Sequence, residues 1–121
     1  MSTALIIDDN RQTADALQQM LSVLDIEARV AYGSSPAISL LQTMTPRLIL
    51  LDINMPGVDG FEILAFLRRE PRLAGVPVIV ITSDDQPETR ARVLKGGASA
   101  IIIKPATLDA LESALRNAKI L

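Results

Sequence analysis

Five short apolar runs alternate with longer segments in which apolar residues recur every three or four positions. The runs are Ala4–Ile7, Ile26–Ala31, Leu48–Leu51, Val76–Ile81 and Ala100–Ile103. Most are rich in Ile and Val and apolar at consecutive positions, which is typical of parallel strands covered on both faces. The second run is interrupted by Glu27 and Arg29, and we therefore expect it at an edge of the sheet.

The segments between the runs carry signals for helices. Capping patterns are Ser35 followed by Pro36, Asp85 followed by Glu88, and Thr107. The last helix is expected to turn Leu108, Leu111 and Leu115 towards the core.

Five strands alternating with five helices predict one α/β domain over residues 1–121. Right-handed crossovers favour a (βα)5 flavodoxin-like fold, a doubly wound parallel five-stranded sheet of order 2-1-3-4-5. In that order the first and third strands are neighbours at the switch point. Ligands bind there, beyond the carboxyl ends of the strands.

Composition excludes several kinds of chemistry. The 121 residues include no Cys and no His, which rules out thiolate or imidazole nucleophiles and metal ligands from this chain. A formal net charge of −2 argues against a direct nucleic-acid surface. The apolar runs are too short for a membrane helix or a signal peptide, so we expect a cytoplasmic protein with no membrane contact.

The residues that follow the apolar runs carry the functional argument. Asp8 and Asp9 follow the first run, Asp52 follows the third, Thr82 ends the fourth, and Lys104 follows the fifth. In a parallel sheet these positions lie along one edge. Taken alone, each aspartate is an ordinary turn or cap residue. Their shared edge favours a functional site, and we find no such convergence for Asp84, Asp85 and Asp109.

Clustered carboxylates require protons or a cation. Two of them about 4 Å apart repel by roughly 4 kcal/mol at an effective dielectric constant near 20. Mg²⁺ suits such a site because it takes one or two carboxylates together with phosphate and water. Lys104 can balance part of the charge, and Thr82 offers a hydroxyl donor. The pattern indicates phosphoryl transfer to a carboxylate nucleophile.

Across nearly its whole length the chain resembles the receiver domains of bacterial two-component response regulators. The matching segments are IIDDN at Ile6–Asn10, LLDINMPGVDGFE at Leu50–Glu62, PVIVITS at Pro77–Ser83, KGGASA at Lys95–Ala100 and IIIKP at Ile101–Pro105. The resemblance implies that Asp52 is the phosphoacceptor. It also implies that Asp9 binds Mg²⁺ directly, that Asp8 acts through a coordinated water, and that Asn54 supplies its backbone carbonyl.

The resemblance assigns further roles at the fourth and fifth strands. Thr82 would be the switch hydroxyl, Lys104 would contact the phosphoryl group, and Pro105 would follow a cis peptide bond. A sensor histidine kinase or phosphotransfer protein would donate the phosphoryl group. Catalysis would be limited to the domain's own phosphorylation and dephosphorylation. A downstream protein or a tethered effector would read the result, and the fourth and fifth helices are one candidate surface for a homodimer.

The chain departs from the family pattern at Ile101, where Tyr or Phe is usual, and at Ala106, where a bulky residue is common. An aliphatic Ile101 keeps open the alternative of a receiver fold that acts as an interaction scaffold without phosphorylation. A phosphatase with an aspartate nucleophile is a third reading, although Asn54 stands where such enzymes carry a second Asp. A flavin protein is disfavoured because no Ser/Thr/Gly-rich phosphate loop follows the first strand.

Overall fold

The computed structural model describes residues 3–55 and 59–121. Five strands alternate with five helices in chain order. The strands are β1 (Ala4–Ile7), β2 (Ala28–Ala31), β3 (Leu48–Leu51), β4 (Val78–Thr82) and β5 (Ala100–Ile103). The helices are α1 (Arg11–Val23), α2 (Ser34–Leu41), α3 (Gly60–Arg69), α4 (Pro87–Lys95) and α5 (Leu108–Asn117). In the described part of the chain, no helix is long and apolar enough to span a membrane.

All strands are parallel and the sheet has the order β2-β1-β3-β4-β5, which confirms the predicted flavodoxin-like fold. The broken second run is an edge strand, as expected. All eight residues of β1 and β3 are buried. Such strands need apolar side chains at every position because helices cover both faces of the sheet.

Two apolar layers cover the sheet. One face packs against α1 and α5 through residues that include Leu17, Leu21, Leu111 and Leu115. The other face packs against α2, α3 and α4, with α3 contributing Ile63, Leu64 and Leu67. The crossovers therefore place helices on both faces, which leaves the carboxyl ends of the strands free to carry side chains.

Two predicted helix starts were wrong. Gly33 is the N-cap of α2, so Ser35 lies inside the helix. Pro36 is accommodated there because N–H groups of the first turn have no partner within a helix. Gln86 is the N-cap of α4, and the carboxylate of Asp84, not that of Asp85, accepts the backbone N–H of Gln86 at 3.0 Å.

Other predictions about helix ends and faces had mixed outcomes. Thr107 caps α5 by accepting the backbone N–H of Ala110 at 3.1 Å, as predicted. Leu108, however, is 37% exposed, and Ala114 joins Leu111 and Leu115 on the buried stripe. Leu108 is the first residue of the helix, and the buried stripe begins only at Leu111.

Two strands begin later than the apolar pattern predicted. Ile26 precedes β2 because its N–H donates to Leu21 O at the end of α1. Val76 precedes β4 because its N–H donates to Leu73 O within a turn. Both residues are buried, so their apolar character reflects the core and not the sheet.

Candidate functional site

The carboxyl ends of β1 and β3 place two aspartates side by side. Ile7 and Leu51 are register partners, and Asp8 and Asp52 are the next residue on each strand. The backbone N–H of Asp52 donates to Ile7 O at 2.9 Å, which continues the ladder by one bond. Adjacent strands lie about 4.8 Å apart, so their side chains share one small volume.

The two aspartates are buried, and a third acid joins them. Asp8 is 1% exposed and Asp52 is 5% exposed, while Asp9 faces solvent. One carboxylate oxygen from each of the three lies within 4.8 Å of the others. Burial strengthens the repulsion between these charges because less water screens them.

Lys104 bridges the two buried carboxylates. Its Nζ lies 3.2 Å from Asp8 Oδ2 and 3.5 Å from Asp52 Oδ2. Lys104 follows β5, which β4 separates from β3, so its long side chain reaches across the edge of the sheet. The Lys104–Pro105 peptide bond is cis, as predicted.

Backbone N–H groups hold the other oxygen of each buried carboxylate. Asn10 N donates to Asp8 Oδ1 at 2.9 Å, and Asn54 N donates to Asp52 Oδ1 at 3.0 Å. Each carboxylate therefore has one oxygen on an amide two residues ahead and the other on Lys104. This arrangement fixes both side chains before any ligand binds.

Burial raises the pKa of Asp52 above the ordinary aspartate value because a charge is disfavoured away from water. The backbone N–H of Asn54 and then the ammonium of Lys104 act in the opposite direction and favour the ionised form. The charge of Asp8 raises the pKa of Asp52 further. A cation bound between the aspartates would remove part of this penalty.

Thr82 completes the edge as the last residue of β4. It is fully buried, and its Oγ1 accepts hydrogen bonds from Asn54 Nδ2 at 3.0 Å and from Asp84 N at 3.1 Å. For Asn54 we predicted a role only through its backbone carbonyl, and the contact of its side chain was not predicted. No spacing rule indicates it, since the two residues are 28 positions apart.

The donor set suits a hard divalent cation. Three carboxylates offer converging oxygens, and among residues 3–55 and 59–121 the ion pairs with them come from Lys104, which contacts Asp8 and Asp52, so negative charge is in excess. Mg²⁺ takes oxygen ligands and retains waters, which matches an edge where Asp9 is open to solvent. Asp8, Asp9 and Asp52 could hold such an ion. A ligand role for the backbone carbonyl of Asn54 stays a prediction.

The remaining residues of the sequence analysis have mixed outcomes. Ile101 is half-buried and packs against the core layer of α2, α3 and α4. Part of the motif that follows Asp52, at positions 56–58, lies outside the described residues. Asp59, which follows it, caps α3 by accepting the backbone N–H of Glu62 at 3.0 Å.

Comparison with known proteins gives a consistent family assignment. The family model of the response regulator receiver domain matches residues 4–116. The chain is 34% identical over 108 residues to an uncharacterized 14.6 kDa protein of Leptolyngbya boryana, covering 89% of this chain and 81% of that protein. It is 32% identical over 114 residues to response regulator Rre1 of Synechocystis, covering 93% of this chain and 49% of Rre1. The chain thus spans about half the length of that longer relative.

Solved structures agree with the sequence comparison. The signal receiver domain of a DNA-binding response regulator from Colwellia psychrerythraea aligns with a TM-score of 0.91 and 30% identity, covering 100% of both chains. The receiver domain of a signal transduction histidine kinase from Syntrophus aciditrophicus aligns with a TM-score of 0.87 and 28% identity, covering 100% of this chain and 92% of that one. The fold, the residues at the strand ends and the family match over 113 residues agree, and this chain therefore belongs to the response regulator receiver domain family.

Proposed function

We propose that this domain accepts a phosphoryl group on Asp52 and uses it to change the surface that a signalling partner reads. One observation carries the proposal: Lys104 Nζ contacts both Asp8 and Asp52 at the edge where the third acid, Asp9, also converges. Membership of the receiver family supports a phosphoacceptor role. Asp52 is the better nucleophile candidate because Asp8 and Asp9 are adjacent and can act together on a cation.

The chemistry is the transfer of a phosphoryl group from a donor imidazole to the carboxylate of Asp52. A carboxylate oxygen of Asp52 forms a bond to phosphorus as the bond from phosphorus to the donor imidazole breaks, and the imidazole keeps the bonding electrons. The chain contains no His, so the phosphohistidine belongs to the partner. Asn54 N and Lys104 hold the carboxylate in position before the donor arrives, which lowers the entropic part of the barrier.

Charge balance explains the roles of the neighbouring side chains. Mg²⁺ bound by Asp8, Asp9 and Asp52 would supply positive charge to the phosphoryl oxygens. The ammonium of Lys104 can exchange its contact with Asp52 for one with a phosphoryl oxygen while it stays near Asp8. Water entering the same edge later hydrolyses the acyl phosphate, so catalysis is limited to the domain's own modification.

Thr82 is the natural sensor of the modification. Its hydroxyl is buried at the same edge and can donate to a phosphoryl oxygen if the side chain turns towards Asp52. A hydrogen bond to a charged group contributes about 1.5–3 kcal/mol. That range matches ordinary allosteric couplings of about 1–3 kcal/mol, which is enough to shift a surface between two arrangements.

The partners follow from the family and stay proposals. A sensor histidine kinase or a phosphotransfer protein supplies the phosphoryl group. A downstream protein or a tethered effector reads the surface. The relatives include a DNA-binding dual master transcriptional regulator, RpaA of Synechocystis, and a receiver of a histidine kinase, so both kinds of setting occur among similar domains.

The test is phosphorylation by acetyl phosphate, a small donor that needs no partner. Intact mass spectrometry should show one phosphoryl adduct that requires Mg²⁺ and is absent from Asp52→Asn. Asp109→Asn is the matched control because Asp109 is exposed in the first turn of α5 and is not one of the three acids whose oxygens converge. The control should form the adduct as the unmodified protein does.

A second probe is used in case the adduct hydrolyses too quickly to be detected. Beryllofluoride with Mg²⁺ mimics the phosphoryl group without turnover, and its binding can be followed by the amide resonances of the site. Absence of both the adduct and beryllofluoride binding would overturn the proposal and favour the scaffold without phosphorylation. Turnover of external phosphate esters would instead favour the phosphatase alternative.

A further inference from the structure

The side chain of Asn54 spans two parts of the site. Its residue is exposed, yet its Nδ2 reaches the fully buried hydroxyl of Thr82 at 3.0 Å. Its backbone N–H meanwhile holds Asp52 Oδ1 at 3.0 Å. One residue thus contacts both the nucleophile and the switch hydroxyl. The proposed chemistry uses only the backbone contact, which leaves the side-chain contact unexplained.

The hydrogen bonds of Thr82 constrain how it can respond. A threonine oxygen has two acceptor positions and one O–H donor. Asn54 Nδ2 and Asp84 N fill both acceptor positions, at 3.0 and 3.1 Å. Because Thr82 is fully buried, water cannot readily replace either donor. Rotation of the side chain towards Asp52 therefore has to break at least the bond to the side-chain amide of Asn54.

We propose that the side chain of Asn54 is a positioning residue that latches Thr82 in the resting orientation. This inference rests on the proposed function, in which Thr82 turns towards the phosphoryl group. The latch opposes that turn, so it sets how much of the population switches before and after modification. When Thr82 leaves, the exposed amide of Asn54 can bind water, and the cost of release is that of one hydrogen bond.

The second donor to Thr82, the backbone N–H of Asp84, indicates which element responds when Thr82 moves. The backbone of Asp84 donates to Thr82, while the carboxylate of Asp84 accepts from Gln86 N at 3.0 Å and from Thr89 Oγ1 at 2.6 Å. Gln86 caps α4 and Thr89 lies in its first turn. Movement of Thr82 therefore acts on the start of α4 through hydrogen bonds. The aliphatic Ile101 has no polar group with which to take part.

The first experiment needs no metal and no phosphoryl group. The χ1 rotamer of Thr82 is measured by NMR through the three-bond couplings of its methyl carbon. We expect one dominant rotamer in the unmodified protein and averaging over rotamers in Asn54→Ala. Asn117→Ala is the matched control because Asn117 is exposed at the end of α5, and it should leave the couplings of Thr82 unchanged.

The second experiment measures the affinity for beryllofluoride with Mg²⁺. Asn54→Ala removes a hydrogen bond to Thr82 that otherwise breaks when the ligand binds. Beryllofluoride should therefore bind roughly 2- to 12-fold more tightly to this variant. A double-mutant cycle separates the latch from any direct effect of Asn54 on the ligand. In a Thr82→Val background no latch exists, so Asn54→Ala should then leave the affinity unchanged.

The outcomes are distinct. An unchanged Thr82 rotamer in Asn54→Ala overturns the latch, whatever happens with beryllofluoride. The same tightening in both backgrounds also overturns it, because the effect would not pass through Thr82. If the protein neither formed the phosphoryl adduct nor bound beryllofluoride, the proposed function would fail, and the rotamer measurement would alone decide whether Asn54 positions Thr82.

Discussion

The central strands β1 and β3 and the edge strand β5 are built differently. In β1 and β3, which carry the aspartates, every residue is buried. In β5, which carries Lys104, Ile102 is the single buried residue and Ile103 is 36% exposed. Asp52, the proposed phosphoacceptor, therefore follows a strand that is covered on both faces, whereas Lys104 follows a strand that is open at its outer side.

The helices show the same contrast. Four residues of α3 are buried, but Val93 is the single buried residue of α4. An element with few buried apolar contacts opens or shifts at a lower free energy than the core does. We infer that the well-packed strands β1 and β3 can hold the proposed chemistry while the less buried β5 and α4 respond to it, so a coupling of a few kcal/mol suffices.

A matched pair of isoleucines tests this contrast and should give the largest effect. Ile49 of β3 is fully buried, and Ile103 of β5 is partly exposed. We expect Ile49→Ala to lower the free energy of unfolding by about 2–5 kcal/mol, because it leaves a cavity in the core. Ile103→Ala should lower it by about 1 kcal/mol or less. Denaturant unfolding of both variants measures the difference, and equal losses would break the comparison.

A pair of glycine substitutions tests whether the structure around Asp52 tolerates added volume. Gly60 begins α3, and a Cβ there would overlap the Cα of Ile53 and lie 2.8 Å from Asp52 O. We expect Gly60→Ala to destabilise the protein by about 1–3 kcal/mol, because a backbone cannot yield as a flexible side chain does. Since the overlap falls beside Asp52, phosphorylation by acetyl phosphate should also slow.

Gly75 provides the control for that substitution. A Cβ at Gly75 would meet nothing within 4 Å. Gly75→Ala should therefore be neutral, or stabilise the protein by up to about 1 kcal/mol through the unfolded chain. If Gly60→Ala lowered stability no more than Gly75→Ala does, the close packing of α3 against Asp52 and Ile53 would be contradicted.

The sequence predicted the strands about as well at the edge of the sheet as at its centre. The runs of β1, β3 and β5 matched the observed strands at both ends, whereas the runs of β2 and β4 began too early. The converging acids, Lys104 and the cis bond before Pro105 were likewise anticipated. These features depend on strand ends, which sequence pattern and topology locate together.

The errors fell mainly at loops and helix ends, where tertiary contacts decide. Asp84 and Asp85 are equivalent in sequence, but only the Asp84 carboxylate reaches the start of α4. The contact between Asn54 and Thr82 joins the loop after β3 to the last residue of β4, and no local pattern relates the two. Leu108 looked like a core residue, yet the helix turns it outwards. A periodic pattern predicts which face of a helix is buried, whereas these contacts depend on the relative placement of segments that are distant in sequence.

A cation–π pair measures how firmly α4 is held. The guanidinium of Arg92 lies 3.7 Å from the ring centroid of Phe61 and joins α4 to α3. Arg92→Ala should lower the free energy of unfolding by about 0.5–1 kcal/mol. Hydrogen exchange of α4 amides should rise more than that of β1 amides, because the pair joins α4 to α3 and does not involve β1. Arg90→Ala is the control, and an equal rise in both variants would contradict a specific role for Arg92.

The smallest expected effect concerns the pKa of Asp84, which precedes α4. The hydroxyl of Thr89, and then the backbone N–H of Gln86, lower the pKa of the Asp84 carboxyl below its ordinary value, because both donate to the ionised form. The stabilisation is therefore present above the ordinary aspartate pKa and is lost as the pH falls through the lower, folded value. We expect little loss near neutral pH.

An NMR titration of the Asp84 carboxyl carbon checks this prediction. Thr89→Val removes the larger cause, so the pKa should rise towards the ordinary value without reaching it, because Gln86 N still donates. Thr43→Val is the control, since the Thr43 hydroxyl bonds Leu40 O at the end of α2. An unchanged pKa in Thr89→Val would mean that the carboxylate does not hold the first turn of α4. The hydrogen-bonded route from Thr82 would then end at Asp84, and α4 would have to sense the site through apolar packing around Val93 alone.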